Sequence, residues 1–121
     1  MTITDAIDRA DDIAPNQYTT AQKTQWLRDF DGKVLREVIL THEPDYKMPP
    51  GWDADTGTEL LIPEPYAADI YVNYLLSRVA EANAEIQKYN VYSTLLNSEY
   101  RQWADFFNRT HTPKQERRWR F

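Results

Sequence analysis

Asp53, Asp55, Gly57, Glu59 and Glu64 set carboxylates at near-alternate positions around a glycine, a pattern that invites a calcium loop. The register is wrong for one. An EF-hand turn needs glycine at loop position six and a ligand at five, whereas Gly57 stands fifth and Thr58 sixth, so an ordinary acidic turn is expected. His42 and His111 each follow a threonine at the end of a helical run, where the helix dipole and the last carbonyls favour an imidazole without any catalytic role. Two histidines with no cysteine or carboxylate at ligand spacing do not compose a zinc site. Ser77, Ser93 and Ser98 are interior to helical runs and lack a nucleophile elbow. Three glycines, none clustered, exclude the common phosphate-cradling loops. Asp11 with Asp12, and Asp29 with Asp31, read as solvated helix faces. The expectation is a non-enzymatic chain with no catalytic residue, metal or cofactor.

The stretch that does suggest recognition chemistry is the carboxyl end. Lys114, Arg117, Arg118 and Arg120 against Glu116 give residues 114–121 a charge of +3, which leaves the preceding 113 residues at -8 within an overall -5. Trp119 and Phe121 stand among those arginines. Arginine beside an aromatic ring is the pairing most enriched at interface hot spots, and a tail that folds on docking can wrap a partner. The same composition could bind nucleic acid through phosphate contacts and base stacking. The acidic body repels a phosphate backbone, so an acidic protein groove is the better partner; a nucleic-acid-binding or small interaction module is the competing class.

These residues need elements to hold them. From Ile86 to Phe107 the large apolar residues Ile86, Tyr89, Leu96, Tyr100, Trp103 and Phe107, with Ser93 on the same stripe, recur at spacings of three and four. That is one face of a helix of about 33 Å, and the rest of the chain is expected to cover it. Thr2 or Thr4 caps a first helix through Ile13, with Ile3, Ala6, Ile7 and Ala10 inward and Pro15 and Asn16 ending it. Thr19 with Gln22 forms a capping box for a second helix, Thr20 to Thr41, in which Gly32 suggests a kink or a close helix crossing. Pro65 suits the first turn of a third helix, along which Tyr66, Ile70, Tyr71, Tyr74, Leu75, Val79 and Ala82 form the apolar stripe. Asn83 suits a left-handed stop, which makes the third and fourth helices an antiparallel hairpin rather than one long rod. Residues 43–64 hold four of the seven prolines and read as a long irregular excursion. Thr58 to Ile62 suits a short extended piece there, one arm of a hairpin turning at Asp53 to Gly57.

The predicted fold class is all-α: a four-helix domain over residues 1–111 with a long C-terminal helical hairpin, the irregular 43–64 loop, and an extended docking tail over 112–121. A chain of 121 residues supports one domain. There is no cysteine, which excludes disulfides and thiolate chemistry, and the acidic N-terminal stretch fits neither a signal peptide nor a membrane anchor. A protein made in a cytoplasm, or packed into something assembled there, is expected.

Taken in order, the opening helix with Ala14-Pro15-Asn16, the segment Gln25 to Lys33, Leu61-Ile62-Pro63-Glu64-Pro65-Tyr66, Tyr89-Asn90, Leu96 to Tyr100 and Phe107 to His111 resemble the small head-to-tail connector (adaptor) proteins of tailed bacteriophages. The resemblance lies in order and spacing across nearly the full chain. It implies a structural virion protein of the neck, with identical subunits, commonly twelve, forming a ring beneath the portal. Its lumen would pass DNA without sequence-specific binding. It further implies the portal protein as partner of Lys114, Arg117, Arg118, Trp119, Arg120 and Phe121. The loop carrying Tyr46, Met48, Trp52, Asp53 and Asp55 would face a neighbouring subunit or the next ring, a tail or stopper protein, with no membrane involved.

Overall fold

The computed structural model describes residues 1–48, 57 and 59–110. Among them the chain is helical, and its one β contact is an isolated antiparallel bridge between Thr2 and Glu59. The tail, and Trp52, Asp53 and Asp55 of the loop, lie outside the described residues.

Helix α1 spans Ile3–Ile13. Thr2 caps it through a capping box with Asp5, and the backbone and hydroxyl hydrogen bonds from Thr2 hold the Asp5 carboxyl below its usual range. Its inward face is the expected one: Ile3, Ala6, Ile7 and Ala10 are all buried. Asn16 then closes the connection, donating to Asp11 and to the Ala14 carbonyl while accepting from the Tyr18 N–H.

Helix α2 spans Thr20–Val34 and starts on the predicted Thr19–Gln22 box. It runs without a break into a π-helical turn, Leu35–Ile39, and a last α turn, α3, Leu40–His42. The irregularity therefore falls after Gly32 rather than at it. A methyl group on Gly32 would meet Arg36 Nη1 at 3.5 Å, an ordinary contact, so no helix crosses closely there. The wide turn leaves the adjacent Val38 and Ile39 both in the core. His42 ends the run, its Nδ1 3.3 Å from the Val38 carbonyl and its ring edge-on to Phe107.

Helix α4 spans Tyr66–Ala82, with Pro65 immediately before its first residue after a cis Glu64–Pro65 bond. The Pro63 carbonyl accepts from the Tyr66 and Ala67 N–H groups. Helix α5, Ile86–Thr110, returns along it. The reversal is a Schellman turn: Glu85 N–H donates to the Ala80 carbonyl and Ala84 N–H to that of Glu81. Ala84, at φ 59°, occupies the left-handed position expected for Asn83. Asn83 instead uses its side chain, accepting from Tyr18 Oη at 2.7 Å and Gln17 Nε2 at 2.9 Å, which ties the hairpin to the α1–α2 connection.

The expectation that α5 organises the fold is corrected. The centre is α4, whose Ile70, Tyr71 and Leu75 have no exposed surface, and which packs against α1, α2 and α5 together. Trp103 is the one fully enclosed side chain of α5; Leu96, Tyr100 and Phe107 only half-bury against the core, and Ile86 is 70% exposed. A period of three and four identifies an apolar face; α4, packed against α1, α2 and α5, has that face and its flanks covered, whereas α5 packs chiefly on α4.

Of the expected hairpin at Asp53 to Ile62, Thr58 and all of the turn but Gly57 lie outside the described residues. Glu59 pairs across to Thr2, and its carboxylate takes the Met1 amino group at 2.6 Å. Leu60 and Ile62 bury their side chains under the helices. This leg of the excursion thus belongs to the core, and no second arm faces it among the described residues.

Candidate functional site: a cationic, aromatic-floored groove

Two buried polar networks fix the helices that line the site. Asp31 is fully buried on α2, where it accepts from Tyr71 Oη of α4 and from the Leu61 N–H at 3.0 Å. Tyr71 Oη in turn accepts from the Ile62 N–H at 2.9 Å. Burial, the Asp31 charge and the hydrogen bond to it push the Tyr71 phenol well above its usual range, so it stays a donor. The reading of Asp31 as part of a solvated face is therefore overturned: it stands four residues after Leu27 and three before Val34, on the buried stripe. Lys23, four residues before Leu27, is likewise buried and pairs with both Asp11 oxygens at 2.8 and 2.9 Å. Asp11 is thus the counter-ion of a buried ammonium rather than a free surface charge. In both cases the cue was a charged residue on the phase of the apolar stripe.

On this frame α2, the π-turn, α4 and α5 enclose a groove of about 390 Å³. Its floor is aromatic. Phe30 packs at 4.6 Å between centroids on Tyr74 and edge-on to Tyr100 at 5.8 Å. Tyr74 Oη donates to the Trp26 carbonyl, and the Arg78 guanidinium lies 5.1 Å over the Trp26 ring while pairing with Glu81 at 2.9 Å. The rim carries Lys33, Arg36 and Arg78 against Asp29 and Glu37, an excess of one cation. Among the described residues neither Lys33 nor Arg36 enters an ion pair.

Three buried side-chain polar atoms lack a hydrogen-bond partner among the described residues, and two of them, Arg78 Nε and Tyr100 Oη, belong to residues lining this groove. Burial and the nearby Glu37 charge push the Tyr100 phenol up to about 12, so it holds its proton and can donate. Unpaired buried donors carry a desolvation cost of about 1–3 kcal/mol each. A ligand oxygen seated there would remove it.

A second feature lies on α5. Val91, Leu95 and Phe106 are 58%, 44% and 41% exposed, and Phe106 lies against the ring of Tyr66 at the start of α4. Of the residues expected to act at interfaces, Tyr46 and Met48 are both half-buried, with Tyr46 packed against the core and its phenol pushed up by burial and by the Asp31 and Glu43 charges. Trp52, Asp53, Asp55 and the tail residues Lys114, Arg117, Arg118, Trp119, Arg120 and Phe121 lie outside the described residues. No group of three or more His, Asp or Glu among the described residues is placed to hold a metal ion, and no helix there is long and apolar enough to cross a membrane. Comparison of the chain with protein-family models, curated proteins and solved structures finds no match.

Proposed function

We propose that this chain is a structural virion protein: a head-to-tail connector, or adaptor, that forms a ring of identical subunits beneath a phage portal. The observation that carries the reading is the state of α5. A helix of 25 residues, about 37 Å long, buries one side chain fully and leaves Ile86, Val91, Leu95 and Phe106 on the surface. Such a rod is overbuilt for its own small core and suited to set the angle between neighbouring copies. The order of sequence segments that resembles the connector proteins supports the same reading, as does an acidic body that would not grip the DNA passing through the lumen.

In this assembly the 114–121 tail docks on the portal, with Trp119 as its aromatic anchor. Deleting residues 114–121 leaves a folded helical protein that no longer attaches to a portal ring in a pull-down; retained attachment defeats the proposal. The competing reading, a nucleic-acid-binding module acting through the same tail, is favoured instead if the chain binds duplex DNA with an affinity that falls steeply with salt.

A further inference from the structure

We infer that the groove between α2, α4 and α5 is the receptor for the Trp52-Asp53-Ala54-Asp55 segment of a second copy of this chain. The inference deepens the ring reading, on which it rests for the presence of a neighbour, by naming the contact that joins adjacent copies.

The chemistry of the groove specifies the occupant. The floor of Phe30, Tyr74 and Tyr100 accepts a flat ring in edge or offset packing. Among the described residues, Lys33 and Arg36 stand exposed at the rim without an ion pair, and Arg78 Nε and Tyr100 Oη are buried donors without an acceptor. An occupant should therefore supply one aromatic side chain and, close to it, two groups that only accept. Ionised carboxylates are such groups.

Along this chain, Trp52, Asp53 and Asp55 place one indole and two carboxylates within four residues. The basic tail is the poorer match, because Arg117, Arg118 and Arg120 would meet Lys33, Arg36 and Arg78 with like charge. A surface that donates the acidic segment and a different surface that receives it make a heterologous contact, which closes into a ring when each copy repeats it. Asp29 and Glu37 on the same rim repel carboxylates displaced from Lys33 and Arg36 and favour one seating.

Because the chain has no cysteine, single cysteines can report the contact. Asn97 lines the groove and is exposed. A mixture of an Ala54→Cys chain and an Asn97→Cys chain, oxidised and run without reductant, is expected to give a cross-linked heterodimer. The double charge reversal Lys33→Glu with Arg36→Glu should weaken that cross-link by roughly tenfold, and Asp53→Lys with Asp55→Lys on the donor copy should restore it. Three results overturn the inference: no heterodimer, a heterodimer indifferent to the reversal, or a cross-link that forms only within a chain carrying both cysteines. Portal attachment of the same variants is scored separately. Attachment that persists without the cross-link sinks the groove contact while leaving the connector reading in place, and loss of attachment by the unmodified chain sinks that reading.

Discussion

Tyr71→Phe removes a single oxygen from the centre of the molecule and should cost more stability than its size suggests. The phenol donates to the buried Asp31 carboxylate and accepts from the Ile62 N–H, so its loss deprives a buried charge of one donor and leaves a backbone N–H without its acceptor. A hydrogen bond to a charged group is worth about 1.5–3 kcal/mol and an orphaned buried donor costs about 1–3 kcal/mol, while the ring volume is conserved and no cavity opens. The expected destabilisation is roughly 3–5 kcal/mol, a large part of the ~5–15 kcal/mol typical of a domain. It corresponds to a fall in Tm of roughly 10–25 °C. Urea unfolding followed by tryptophan fluorescence and far-ultraviolet circular dichroism measures it, with the Tyr71→Phe/Asp31→Asn pair completing a double-mutant cycle. A loss below about 1 kcal/mol, or strict additivity in the cycle, would show that the Asp31–Tyr71 link does not hold α2 against α4.

Ala84→Gly should raise stability by about 0.5–1 kcal/mol, since glycine occupies the left-handed C′ position without the Cβ penalty that Ala84 bears; an unchanged urea midpoint would refute the strained turn. Stability should also fall at alkaline pH. The Tyr71, Tyr74 and Tyr100 phenols all lie above the ordinary value of 10, so above pH 10 the unfolded chain releases protons that the folded one keeps, and stability present below pH 10 is lost as pH rises toward 12. Tyr100→Phe should flatten that decline; an identical slope between pH 10 and 12 would contradict it. In portal binding, Trp119→Ala should weaken attachment more than Lys114→Ala by about 1–2 kcal/mol, and equal losses would indicate a purely electrostatic tail.

Local chemistry was legible in the residues themselves. Thr19 and Gln22 marked the start of α2, the 3-6-7-10 spacing marked the inward face of α1, and the apolar stripes from Tyr66 and from Ile86 marked a hairpin of two long helices. What depended on distant partners was not. Whether Asp31 is solvated depends on Tyr71, forty residues away, and on the backbone at Leu61. Likewise the apolar face of α5 has the spacing of a core helix, but spacing does not reveal whether the covering surface belongs to the same chain or to another copy. The π-turn at Leu35–Ile39 carries no local sequence mark, and Gly32 before it is only a weak helix former. The groove has no mark in the sequence because its lining comes from three helices whose registers are set by those buried contacts.

Imaging the purified protein by negative-stain microscopy, alone and after mixing with an isolated portal ring, tests the assembly role most directly. The expected image is an added annulus of identical copies coaxial with the portal, matching its symmetry, with the α4–α5 hairpins side by side around the lumen. A bare portal ring beside well-folded, dispersed chains would contradict it.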